Sequence, residues 1–129
     1  MVILSRQQEE RMVKNDIIWL ATTGSSYGWQ QPVHLVPIWY VWYNSRIYIC
    51  TNSKSTKIRN IRINSKVTIA LEDGIKPFVA FGEAKIIKIN LIENEIKQLF
   101  KEKFDWNIPN DLEYDIFIVI ELKKILMSY

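Results

Sequence analysis

The sequence predicts a mainly β protein, an antiparallel β-barrel with flanking helices, and three observations carry that expectation. Six short segments rich in β-branched and aromatic residues recur along the 129 residues. Turn-forming residues separate several of them at hairpin spacing. No strand–helix–strand alternation of the kind that builds a parallel sheet is present. A barrel of six strands is small enough for side chains to fill its interior. A ligand is therefore expected outside the barrel or at a subunit interface.

The segments follow in order. Arg6 to Lys14 is polar and helix-prone, with Met12 and Val13 among its few apolar members. Ile17–Thr23 reads as the first strand, closed by turn residues over Gly24–Gly28. Gln31–Trp42 reads as one long second strand, with Val33, Leu35, Pro37, Trp39 and Val41 on one face and His34, Val36, Ile38, Tyr40 and Trp42 on the other. Both faces are largely apolar, so cover on both sides is expected. A filled barrel can cover only one, which predicts a homodimer. Tyr43–Ser45 turns into the strand Arg46–Thr51. The period then becomes helical: Ile58, Ile61 and Arg62 share a side of a helix that Ser53 or Ser55 can cap and that runs to about Asn64. Lys66–Glu72 and Phe78–Lys88 return to strand around a breaker-rich turn, Asp73–Pro77. Ile92, Ile96, Leu99, Phe100 and Phe104 recur at spacings of three and four, predicting an amphipathic helix from about Leu91 to Phe104. After a loop at Trp106–Asn110, Tyr114–Leu122 is the last clear strand, with Ile125–Tyr129 extending it past a bend.

Composition limits the function classes. A chain of this length fits a single domain spanning 1–129. Apolar residues at 48% and charged residues at 24% are ordinary for a globular protein. No window supplies the ~20 continuous apolar residues of a membrane helix. The polar N-terminus does not read as a signal peptide, and the single cysteine, Cys50, suits a reducing compartment, so a soluble cytoplasmic protein is expected. The net charge of +3 is too mild to imply nucleic-acid binding. Lys54, Lys57, Arg59, Arg62 and Lys66 nevertheless crowd one segment that holds no acid, which suits one local anion site.

Most catalytic constellations are missing. One His and one Cys cannot build a structural zinc site, so no metal is expected. There is no Walker loop and no GxGxxG motif. His34 has no nucleophile elbow to serve and reads either as a packed strand histidine or as a ligand contact. Cys50 reads as a small core residue. No side chain is assigned as a catalytic acid or base.

Thr51–Lys57 (TNSKSTK) differs, because it runs from a strand end through a polar turn into the first turn of a helix. Free backbone N–H groups and the helix dipole favour an anion there. Thr51, Ser53, Ser55 and Thr56 add hydroxyls, and Lys57 adds a positive charge. A merely capped, solvated helix start accounts for the same residues equally well on physics alone.

The order of residues goes further. Thr51, Asn52, Ser55, Lys57, Ile61 and Asn64 form T-N-x-x-S-x-K-x-x-x-I-x-x-N, flanked by LATTG, VPIWYVW, RIYICT, VTIALED and GEAKII. This ordered set resembles the pyridoxamine 5'-phosphate oxidase-like split β-barrel superfamily over about residues 15–90. The resemblance implies a six-stranded antiparallel split barrel and a homodimer that holds FMN at the subunit interface and acts on a small molecule as a flavin-dependent oxidoreductase. Relatives use the deazaflavin F420 instead, or bind haem, so an F420-dependent reductase and a non-catalytic flavin or haem module are the alternatives. Carried over by motif, Lys57 and Thr56 meet the cofactor phosphate together with Ser55, and Thr51 and Cys50 line the cofactor. His34, Leu35, Val36 and Pro37 present backbone beside the flavin ring. The oxidases often carry Ser-Arg-Lys where this chain has Ser55-Thr56-Lys57, so a bidentate phosphate partner is missing. They also have a glutamine near Pro77. Their Arg- and His-containing C-terminal segment would begin at about Tyr129, so pyridoxine phosphate is not the expected substrate.

Overall fold

The structure is a computed structural model that describes residues 2–24, 32–108 and 113–129. The first helix, α1 (Arg6–Lys14), starts at a reciprocal capping box in which Ser5 Oγ accepts from the Gln8 amide at 3.1 Å and Gln8 Oε1 accepts from the Ser5 amide at 2.8 Å. Met12 on this helix is fully buried. Strand β1 (Ile17–Thr22) alternates half-buried and buried residues, the period-2 signature of a sheet with one face inward. The turn expected over Gly24–Gly28, the strand start at Gln31 and the end of the Trp106–Asn110 loop lie wholly or partly outside the described residues.

The long second strand is in fact two, β2 (His34–Trp39) and β3 (Val41–Tyr43). Tyr40 makes the break. Its side chain is fully buried, its hydroxyl donates to the Met12 carbonyl at 2.5 Å, and its amide donates to the Asp16 carbonyl at 3.3 Å. Lys103 Nζ donates to the carbonyls of Tyr40, at 3.1 Å, and Asn15, and rests 4.4 Å above the Tyr40 ring. Pinned this way, the chain leaves one edge of the sheet at Trp39 and joins the opposite edge at Val41. Among the described residues there are seven strands rather than six. They form one antiparallel sheet in the order β2-β1-β5-β6-β7-β4-β3, with no ladder between β2 and β3 to close it.

Strand β3 turns back through Asn44 and Ser45, both at positive φ (50° and 60°), into β4 (Arg46–Thr51). Positive φ at both central residues marks the type I′ geometry that matches the twist of a two-residue hairpin. Helix α2 (Thr56–Ile63) buries Ile58 and Ile61. Its third buried member is Asn60 rather than the expected Arg62, which is exposed. Asn60 Nδ2 donates to Thr22 Oγ1 at 3.1 Å, so two buried polar groups satisfy each other and tie α2 to β1.

Strand β5 (Lys66–Leu71) leads to β6 (Phe78–Lys88) through a turn in which Asp73 Oδ1 accepts from the amides of Ile75 and Lys76 at 2.9 Å. A single 3₁₀ turn at Ile89–Leu91 separates β6 from α3 (Asn94–Phe104), which starts three residues later than its periodicity predicts. The last strand, β7 (Ile116–Ser128), is longer than expected and continuous. The anticipated bend appears as two register shifts against β6, at Val79/Ala80 and Phe81/Gly82.

Two hydrophobic cores result. The inner one fills the curled sheet with Ile18, Leu20, Ile47, Ile49, Ile69, Phe78, Ile118 and Ile120, closed off by Met12 and Ile58. The outer one lies where Ile96 and Phe100 of α3 cover Tyr48, Cys50, Phe117 and Val119 of β4 and β7. Among the described residues the outward side of β2 is covered only at Trp39, which meets Phe104 and Trp106 and is still 47% exposed; Leu35, and Val33 just before the strand, are 58% and 59% exposed. Among the described residues, no helix is long and apolar enough to cross a membrane.

Candidate functional site

A groove of about 680 Å³ opens where β4 ends and α2 begins. Cys50, Thr51, Asn52, Ser55 and Lys57 line one end of this stretch of chain. Ile17, Pro37, Ile38 and Trp39 contribute from the β1–β2 edge, and Trp106, Glu113 and Tyr114 from the segments after α3 and before β7.

The phosphate-type features sit at the start of α2. Ser55 is its N-cap residue, yet its side chain caps no amide, and its buried Oγ has no hydrogen-bond partner among the described residues. The first turn therefore keeps amides at Thr56, Lys57 and Ile58 without a side-chain cap. Lys57 makes no hydrogen bond or ion pair with a described residue, and burial holds its ammonium below the ordinary lysine range. An unmatched cation, an unmatched hydroxyl and uncapped amides at one helix start are what an anion requires.

The remaining wall is aromatic. Trp39 stacks on Phe104 with centroids 4.5 Å apart and planes 9° apart, and meets Trp106 edge-on at 6.2 Å. Trp106 in turn meets Tyr114 at 4.9 Å and Phe100 at 5.7 Å, both nearly perpendicular. Such stacked and edge contacts fix ring orientations, and Phe100, fully buried on the inner face of α3, anchors the group. Lys103, held at the Tyr40 corner, sets where Trp39 leaves the sheet; burial lowers its pKa and Asp16 opposes that shift.

Of the residues expected at the site, Pro37, Cys50, Thr51, Ser55 and Lys57 line this groove. His34, Leu35, Val36 and Thr56 do not. His34 opens β2 opposite Thr22, with a buried Nδ1 that has no partner among the described residues. Leu35 and Thr56 face outward, and Val36 is half-buried. Ser53 was expected to offer its hydroxyl to an anion, but it donates to Asp115 Oδ2 at 2.8 Å. Trp39, Glu113 and Tyr114 were not singled out from the sequence. Tyr114 lies between the acids Glu113 and Asp115 just before the last strand, where nothing local marks it as a groove residue.

No protein-family model and no curated protein sequence matches the chain. Solved structures do. HutZ, the haem storage protein from Vibrio cholerae, aligns over 98% of this chain and 96% of its own, at a TM-score of 0.75 and 14% identity. An FAD-binding protein from Mesorhizobium loti aligns over 95% and 92%, at 0.69 and 20%. An F420 reductase aligns over 90% and 94%, at 0.68 and 18%.

The fold is the pyridoxamine 5'-phosphate oxidase-like split β-barrel. The strand break at Tyr40 separates β2 from β3 and leaves the β1–β2 edge beside the start of α2. The groove lies on the outside of the filled barrel, as a filled interior requires.

Proposed function

We propose that this split barrel binds a flavin-type cofactor, FMN in the first instance, and serves as a flavin-dependent oxidoreductase acting on a small molecule. The start of α2 supports it most directly, because Ser55 Oγ, the first-turn amides and Lys57 together offer an unmatched anion site. Ser55 Oγ, the first-turn amides and Lys57 would hold the phosphate there, with the Thr56 hydroxyl turned away from the groove. Thr51 and Cys50, with Pro37 and the aromatic wall around Trp106, would border the ring system. The bound flavin supplies hydride chemistry, and the protein's part is to bind, orient and desolvate it. Glu113 and Tyr114 line the same groove.

A second copy of the chain completes this reading. Pairing aligns Leu35 with Ala21, Thr68, Phe81 and Lys124, and Pro37 with Trp19, Ala70, Val79 and Met127, each across five neighbouring strands. Apart from Thr68 and Lys124 these outward rows are apolar, and they reach the groove through Pro37. A homodimer burying them would also shield the groove. The cytoplasm, with its flavin supply and reduced thiols, is the compartment proposed.

The spectrum of the purified protein, read with a thermal-shift titration, tests the cofactor. A flavin band, or stabilisation on adding FMN of about 2.7 kcal/mol at a hundred times Kd, is expected. A shorter-wavelength deazaflavin band would redirect the assignment to F420. A sharp Soret band would favour the haem carrier suggested by the likeness to HutZ. Colourless protein that neither FMN nor F420 stabilises would contradict the proposal.

A further inference from the structure

The turn that leads into α2 is fastened to the approach of β7. Ser53 donates twice to Asp115, through its amide to Oδ1 and its hydroxyl to Oδ2, both at 2.8 Å. Asn52 Nδ2 donates to the Glu113 carbonyl at 2.6 Å, and the Asp115 amide donates to the Thr51 carbonyl at 3.1 Å. Inside the turn, the Lys54 amide donates to Asn52 Oδ1 at 2.8 Å and the Ser55 amide to the Asn52 carbonyl at 3.0 Å. The amides of residues 53, 54 and 55 are thus all committed. Those left over belong to the first turn of α2, beside the unmatched Ser55 hydroxyl.

Asp115 is exposed, so its position adds little to either core. Its carboxyl is held below the usual carboxylate range, chiefly by the Ser53 hydroxyl and then by the Ser53 amide. A carboxylate that uses both oxygens on one residue fixes that residue's orientation. We propose that Asp115 is the positioning residue of the phosphate-binding turn. Its clasp on Ser53 aims Ser55 Oγ and the first-turn amides into the groove before any ligand arrives. Affinity gained this way is preorganisation, since the ordering of the turn is complete before binding. The inference rests on reading the start of α2 as the phosphate site.

FMN and riboflavin differ by a single phosphate, so the ratio of their dissociation constants isolates that end of the groove. The ratio is measured for the full chain, Asp115→Ala, Asp115→Asn, Ser53→Ala and Lys57→Ala, with a thermal melt of each. The full chain should prefer FMN. Asp115→Ala should lower that preference about tenfold, in line with losing hydrogen bonds to a charged group, and leave riboflavin affinity unchanged. Asp115→Asn, which keeps one acceptor, and Ser53→Ala, which removes one donor, should fall between. FMN and riboflavin affinities falling together would show general destabilisation and overturn the proposal. So would a rise in FMN preference, which would mean that Asp115 competes with phosphate for Ser53. A full chain that prefers FMN while the Asp115 variants match it sinks the positioning role but spares the phosphate site. A full chain with no preference, unaltered by Lys57→Ala, sinks both.

Discussion

In the proposed site, Lys57 and Ser55 carry the binding chemistry. Desolvation makes the Lys57 ammonium less stable than a lysine in water, and an incoming dianion reverses that penalty. Lys57→Ala should therefore weaken FMN by about 1.5–3 kcal/mol, the value of a hydrogen bond to a charged group, with little change in melting temperature. The sign of the pH effect follows. The free protein releases this proton at a lower pH than an ordinary lysine, and the anion needs the ammonium. FMN preference over riboflavin should hold below the pKa of Lys57 in the free protein and fall as pH rises through it. Titrations from neutral to alkaline pH would show the limb in the full chain and its absence in Lys57→Ala; identical profiles would remove Lys57 from the site. These residues were legible from the order of TNSKSTK. The commitment of Ser53 to Asp115 was not, because 62 positions separate them and only the return of β7 beside β4 brings them together.

Among elements, the β6–β7 pair sets the shape of the sheet. Gly82 sits at one of its register shifts, where a Cβ would stand 2.4 Å from the Glu121 carbonyl oxygen. Backbone cannot yield as a flexible side chain can. Gly82→Ala should cost about 1–3 kcal/mol, the range for overpacking, read as a lower denaturation midpoint at an unchanged m-value. A midpoint equal to that of the parent would mean the strands separate freely there. Periodicity located nearly every element, since alternation and three-four spacing are local signals. It failed at Tyr40 and at Leu91. A strand that switches sheet edges keeps its alternation, and the cause of the break, the Tyr40–Met12 and Lys103–Tyr40 contacts, is tertiary. Three residues before α3 continue its hydrophobic pattern, as Ile92 shows by being buried without being helical.

For the whole molecule, the inequality between its two outer faces matters most. Helix α3 covers β4 and β7, whereas no helix among the described residues covers the rows led by Leu35 and Pro37. The sequence foretold this face from two apolar sides on one strand, and the structure places it against the groove. Leu35→Lys should shift the proposed dimer to monomer in light scattering at micromolar concentration and weaken FMN in parallel. A variant that stays dimeric would place the interface elsewhere. If the start of α2 holds the phosphate of a flavin, the FMN-to-riboflavin affinity ratio must separate the full chain from Lys57→Ala. A clear preference for FMN in the full chain that collapses in Lys57→Ala is the predicted result; equal affinities for both ligands in both proteins would contradict it.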